Sequence, residues 1–181
     1  MKKLKFFVFI VFIACAFIFF GVLNYYFPFK YESIIRHYAQ VHGVDPVLIA
    51  SIINVESRFD RYAVSHAGAS GLMQLMPGTA QWAAEEIGIP YFDFYEMVFD
   101  PYININIGTW YFSRLLGNHA TQEVALAAYN AGSGNVSSWL SNPNFSYDGE
   151  VLNYIPFGET RRYVSRVNIS TYVYRVIMWV R

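Results

Sequence analysis

An all-α outer domain behind one membrane-spanning helix is the fold this 181-residue sequence predicts, and three observations carry it. An uncharged apolar run extends from Phe6 to Leu23. Two Asp-Pro pairs, Asp45-Pro46 and Asp100-Pro101, each open an apolar-periodic stretch, as an N-cap followed by proline at the first helical position. No two alternating apolar segments flank a convincing hairpin turn.

The N-terminal run comes first. Lys2, Lys3 and Lys5 precede it, and Tyr25, Tyr26 and Phe27 follow. About 20 apolar residues cross a bilayer as one helix, and lysines before with aromatics after place the N-terminus in the cytoplasm. Residues 1–27 therefore read as an uncleaved signal anchor, and residues 28–181 as one domain on the far side. A cleaved signal peptide is the rival reading. It needs a shorter apolar region and a small-residue cleavage site, which the sequence near Gly21 does not offer. Cys15 lies in Phe12-Ile13-Ala14-Cys15, a poor lipobox, and reads as a small residue of the span.

Composition narrows the outer part. Apolar residues make up 55% of the chain, and much of the excess is in the anchor. Without Lys2, Lys3 and Lys5 the 13 basic residues fall to ten against 13 acidic ones, and no basic run is interleaved with aromatics. Nucleic acid is not an expected partner. One cysteine permits neither an intrachain disulfide nor a thiolate metal cluster. The four histidines, His37, His42, His66 and His119, lack metal-ligand spacing. No metal or cofactor is expected.

The helices follow in order. Tyr31 to Val41 predicts a short helix with Ile34, Ile35, Tyr38 and Val41 on one face, stopped by Gly43. After Asp45-Pro46, residues Ile49, Ile52, Ile53 and Glu56 share a side, so Glu56 emerges on an apolar face at the last turn. His66 to Gly71 is a loop. Thr79 is expected to cap a helix through Ile87, ended by Gly88 and Pro90. Asp100-Pro101 starts a helix to about Leu116, with Ile103, Ile107, Trp110 and Tyr111 inward and Gly117-Asn118 closing it. Thr121 caps a helix through Tyr129, Asn130 to Gly134 turn, and Val136 to Leu140 add one helical turn. Ser141 to Gly158 is irregular, and Glu159 to Val180 is a long helix.

Glu56 is the leading candidate for chemistry. A carboxyl on an apolar face ionises less readily, and one still protonated near neutral pH can protonate a leaving-group oxygen. From position alone, a helix-end glutamate paired with Arg58 or Arg61 fits as well. Glycosidases usually need a second carboxylate. Asp60 reads as a local cap, and Glu85 and Glu86 as a solvated helix face. Gly68, Ser70 and Gly71 permit tight turns and close approach of a ligand. Gln74 offers a donor and an acceptor, while Met73 and Met76 suit a core. Tyr129 suits either a core or a site, and Glu159 opens a helix where the dipole favours an acid.

Four blocks in this order carry a resemblance. They are Glu56-Ser57; Gly68-Ala69-Ser70-Gly71-Leu72-Met73-Gln74-Leu75-Met76-Pro77; Ala128-Tyr129-Asn130-Ala131-Gly132; and Ile155 to Val164, IPFGETRRYV. Together they closely resemble the soluble lytic transglycosylase (SLT) domain over about Tyr31 to Tyr174. The resemblance implies a lysozyme-like helical fold that cleaves peptidoglycan glycan strands; with the single-pass anchor read above, the catalytic domain is expected to face the wall from the bacterial membrane. It implies that Glu56 is the single catalytic acid/base. It places Ser65 and Gln74 at the muramyl part of the substrate and Met73 in the lining of the groove. Tyr129 falls beside the acid with Asn130 adjoining, and Glu159 in the groove. The chain departs from the family at Asp60-Arg61, where an Asn-Pro pair is frequent, so the loop before Ser65 is expected to differ in shape. The rival functions are a goose-type lysozyme, with water as nucleophile, and an inactive wall-binding module. Protein partners are not legible.

Overall fold

The computed structural model describes residues 2–180, with side chains for all of them except residues 2–4, 8, 16, 24 and 178–180. Met1 and Arg181, the outer limits of the two expected segments, and the side chains of Lys2 and Lys3 lie outside the described residues. Helix α1 (Lys2–Tyr26) contains the apolar stretch Lys5–Leu23, long enough to cross a membrane, and none of that stretch is buried within the protein.

The remaining elements are α2 (Glu32–His42), α3 (Pro46–Ser57), α4 (Pro77–Glu86), α5 (Phe94–Met97), α6 (Pro101–Asn118), α7 (Gln122–Ala131), α8 (Ser133–Leu140) and α9 (Gly158–Val180). Among the described residues β-structure is limited to isolated bridges, Val64 with Ser70 and Ser70 with Leu75. The all-α expectation holds.

Side-chain caps fix several helix starts. Asp45 accepts from the Val47 amide, Asp100 from Tyr102 and Ile103, and Thr121 from Val124, each satisfying a first-turn N–H that the helix leaves unpaired. Thr79 does not cap α4. Met76 occupies the N-cap and Pro77 the first helical position, because a proline there has no N–H to leave unsatisfied. The short α5 is an addition to the expected helices; Asp93 caps it through the Glu96 amide. Helix α8 is longer than one turn, because Gly132 (φ +85°) lets the chain leave α7 and restart at once at Ser133.

Helix α3 is the centre. Leu48 through Asn54 are all buried, and α9 packs along it. Helix α7 is the second central element, where Ala125, Ala127 and Ala128 are small enough for α6, α8 and α9 to approach it. On α9 the buried residues Thr160, Tyr163, Val164, Val167, Ser170, Thr171 and Tyr174 recur at three- and four-residue intervals, one stripe of a helix. Val41, expected inward on α2, is 58% exposed; Ala39 is buried in that helix instead. On α6 the fully buried residues include Ile105, Ile107 and Phe112, while Ile103, Trp110 and Tyr111 are only half-buried.

The segment between α1 and α2 is docked on the domain. Phe27 meets the Tyr174 ring edge-on at 5.7 Å, and the Tyr174 hydroxyl donates to the Pro28 carbonyl at 2.6 Å. Asn54 Nδ2 donates to the Tyr26 carbonyl at 3.3 Å.

Candidate active site

The site begins where α3 stops. Arg58 (φ +53°) and Phe59 (φ +63°) both take the left-handed conformation, which ends the helix and turns the chain into the loop 60–76. Asp60 accepts from the Tyr62 amide at 2.9 Å, so it stabilises this turn locally. Ser57 Oγ donates to the Leu72 carbonyl at 2.8 Å and fastens the end of α3 to the far side of the loop. The Tyr129 hydroxyl donates to the Met73 carbonyl at 2.8 Å and fastens the same stretch of loop to α7. The Glu-Ser, Gly-rich and Ala-Tyr-Asn blocks are thus physically joined.

Asn104 on α6 is the main clamp, and nothing in its local sequence marks it. It is 1% exposed. Its Oδ1 accepts from the Met73 amide at 2.8 Å, and its Nδ2 donates to the carbonyls of Val98 at 2.8 Å and Ser70 at 3.2 Å. Gly71 (φ +80°) is required beside it, because a Cβ there would collide with Asn104 Nδ2 and lie 2.8 Å from the Val98 oxygen. Gly108, one turn further along α6, leaves the notch that Met73 fills.

Met73 is consequently fully buried, with its side chain in that notch, and its link to the site is its backbone carbonyl. Gln74 holds a left-handed conformation (φ +47°), and its Nε2 donates to the Ala63 and Gly71 carbonyls at 3.0 and 2.9 Å. Both amide protons are used by the loop, so what this side chain presents to a ligand is its oxygen. Ser65 lies in the loop, where its Oγ accepts from the Ala69 amide at 3.0 Å. Gln74, Tyr129 and Asn130 line a common cleft of about 250 Å³ with Met76, Thr79 and Tyr111. Asn130 Oδ1 accepts from Thr160 Oγ1 at 2.8 Å, tying α7 to the first turn of α9.

Glu56 is near Tyr129, a lining residue of this cleft, without lining it itself. Burial pushes its carboxyl from the ordinary 4.5 up to about 7. The Tyr163 hydroxyl and the Arg166 guanidinium pull it down, and the carboxylate of Glu159 pushes it up. The Tyr163 hydroxyl is buried and its contact with Glu56 falls short of strict hydrogen-bond geometry. Tyr129 connects acid and cleft: it lines the cleft, and both burial and the nearby Glu56 charge raise its own pKa. Among the described residues, ion pairs join Arg36 to Glu32 and Arg175 to Asp45, and neither Arg58 nor Arg61 pairs with Glu56. The helix-end pairing fails. Glu159 is exposed and reaches the acid through its field. The structure thus brings Gln74, Tyr129 and Asn130 to one cleft, sets Glu56 within electrostatic reach of Tyr129 and Glu159, and keeps Ser65 and the Met73 side chain to loop architecture. It adds Tyr163 and Arg166, one turn apart on α9, which only the packing of α9 on α3 could reveal.

A partly hidden carboxyl with a raised pKa thus ends the central helix next to Tyr129, which lines the cleft and is fastened to the loop. The chain belongs to the Transglycosylase SLT domain family, whose sequence profile matches residues 33–151. It is 36% identical over 154 residues to the soluble lytic murein transglycosylase of Escherichia coli K12, covering 84% of this chain and 24% of that protein. It is 35% identical over 170 residues to the membrane-bound lytic murein transglycosylase C of Salmonella arizonae, covering 81% of this chain and 46% of that one. Among solved structures, an inactive glutamate-to-glutamine mutant of the lytic transglycosylase Slt from Pseudomonas aeruginosa superposes with a TM-score of 0.76 at 35% identity, over 86% of this chain and 25% of the other. The 70 kDa soluble lytic transglycosylase in complex with bulgecin A gives 0.74 at 33% identity, over 84% and 25%. The chain therefore spans about a quarter of the length of its soluble relatives and just under half of the membrane-bound one.

Proposed function

We propose that this chain is a membrane-anchored lytic transglycosylase that cuts the β-1,4 bond between MurNAc and GlcNAc in peptidoglycan, with Glu56 as acid and then base. The observation that carries the proposal is the Glu56 carboxyl, held at about 7 by burial beside the cleft. At neutral pH a large fraction is protonated, so the group can give a proton and take one back within a single turnover. The inactive glutamate-to-glutamine mutant of the Pseudomonas protein is consistent with an essential glutamate in that relative.

Glu56 protonates the glycosidic oxygen as its bond to MurNAc C1 breaks, leaving an oxocarbenium-like centre that the neighbouring N-acetyl group stabilises. The Glu56 carboxylate then removes the proton from the MurNAc C6 hydroxyl, and O6 bonds to C1. The products are a 1,6-anhydro end and a free GlcNAc hydroxyl, with no water consumed. Tethering the nucleophile to the same sugar replaces an encounter with a rotation. The Gln74 oxygen would accept from sugar amide and hydroxyl donors in the cleft, Asn130 Nδ2 would donate to sugar oxygens, and Glu159 would contribute at the margin.

Mass spectrometry of digested peptidoglycan tests the reaction. Anhydro ends are expected, and reducing MurNAc ends would instead make the chain a lysozyme-type hydrolase. Residues 1–27 act as the anchor in this reading, and a protein purified from membranes with its N-terminus beginning near residue 28 would overturn that part.

The pH profile tests the role of α9. Activity should fall as pH rises past Glu56's own pKa. Tyr163→Phe and Arg166→Gln each remove an influence that lowers this pKa and should move the falling limb to higher pH. Glu159→Gln removes one that raises it and should move the limb lower. Initial-rate measurements between pH 5 and about 9 read all three directions.

A further inference from the structure

A cavity of about 570 Å³, larger than the cleft, is lined by the end of α1, the last turns of α3 and the middle of α9. Tyr25 and Tyr26, the last residues of α1, form part of its wall. Lys30, Arg58 and Arg166 also line it, and no acidic residue does. Among the described residues none of these three cations has an ion pair, although the domain as a whole carries more acids than bases. Asn54 lines the cavity as well. It is 9% exposed, its Nδ2 is occupied by the Tyr26 carbonyl and Ser170 Oγ, and its Oδ1 has no partner. Buried polar atoms are almost always partnered, so a lone acceptor marks a place where a donor belongs.

Three cations outside any ion pair, one orphan acceptor and a wall of tyrosines lie where the apolar helix ends. Tyrosines at the end of a spanning helix sit at headgroup depth. We propose that this cavity binds the headgroup of an anionic phospholipid, with its phosphate among Lys30, Arg58 and Arg166 and a glycerol-type hydroxyl donating to Asn54 Oδ1. The site rests on the anchoring part of the proposed function. It does not depend on the cleavage chemistry.

The test uses the full chain in a zwitterionic detergent, with lipid binding read by native mass spectrometry and by thermal shift. Phosphatidylglycerol should bind and raise the melting temperature, and phosphatidylcholine should not. The exposed pair Lys30→Gln/Arg58→Gln should weaken phosphatidylglycerol binding about 30-fold, at roughly a factor of five for each cation lost near an anionic lipid. Its melting temperature without anionic lipid should match the parent, which separates lost binding from lost folding. Asn54→Ala should weaken phosphatidylglycerol more than phosphatidic acid, which lacks the glycerol headgroup. Equal binding of both zwitterionic and anionic lipids, or an unchanged double variant, would overturn the site. So would an equal shift from inorganic phosphate or soluble glycerophosphoglycerol, which would make it a free-phosphate site. Flotation with pure phosphatidylcholine vesicles tests anchoring by itself: protein left unfloated there would sink the anchor and leave the headgroup measurement standing or falling separately.

Discussion

Glu56→Gln should lower release of soluble muropeptides by about 10²–10⁴-fold, the range expected when a general acid/base is removed. The same substitution should make the protein more stable above neutral pH. An unfolded glutamate ionises near 4.5, whereas the folded one holds its proton to about 7. Folding is therefore favoured by this group below pH 4.5, and that contribution is lost as pH rises through about 7. Glutamine carries no such loss. At pH 8 the difference approaches, at most, about 3 kcal/mol, because each tenfold change in proton affinity is worth about 1.36 kcal/mol. Thermal melts of both proteins at pH 4 and pH 8 read it: nearly equal stability at the lower pH and a clear gain for the variant at the higher. An inactive variant with no such gain would mean that the carboxyl is not held in a costly environment, and the acid role would lose its physical basis.

Asn104→Ala should produce the largest loss of stability. It orphans the Met73 amide and the Val98 carbonyl in a buried setting and takes one of two donors from the Ser70 carbonyl, which keeps the Leu75 amide. At about 1–3 kcal/mol for a buried group left unpaired, and allowing for relaxation, the total is about 3–5 kcal/mol. That corresponds to roughly 10 °C or more in melting temperature for a domain of this size. Activity should fall even at temperatures where the variant stays folded, because Asn104 positions the loop that carries Gln74. A variant that melts within about 2 °C of the parent would show that water replaces the amide, since 2 °C is under roughly 1 kcal/mol here.

What the sequence made legible divides along the range of the interactions. Asp45, Asp100 and Thr121 were readable because a cap's partners lie two or three residues away. Glu56 was readable because helical period alone places it with Ile49, Ile52 and Ile53. Asn104 was invisible because its partners lie six to 34 residues distant, and an asparagine in mid-helix carries no signal of its own. Tyr163 and Arg166 depend on the docking of α9 against α3, and the notch at Gly108 on the docking of α6 against the loop. The resemblance puts Met73 in the groove lining, whereas its side chain fills that notch and only its carbonyl faces Tyr129. For Gln74 it supplied the position, and only the structure assigned its two amide protons to Ala63 and Gly71. Thr79 misled because a good capping residue two positions after a proline competes with a proline already suited to start the helix.

Asn54, in the cationic cavity, and Glu56, near Tyr129 of the cleft, are two residues apart on α3, a rise of about 3 Å along the helix axis. One rigid helix carries both, so the cavity and the acid move together. If Asn54 rides at the level of the headgroups, Glu56 stays at a fixed distance from them, with no slack segment in between, because Phe27 and Pro28 are themselves held by Tyr174. On the proposed function, the glycan within reach would be the layer nearest the bilayer, and strands further out would be spared.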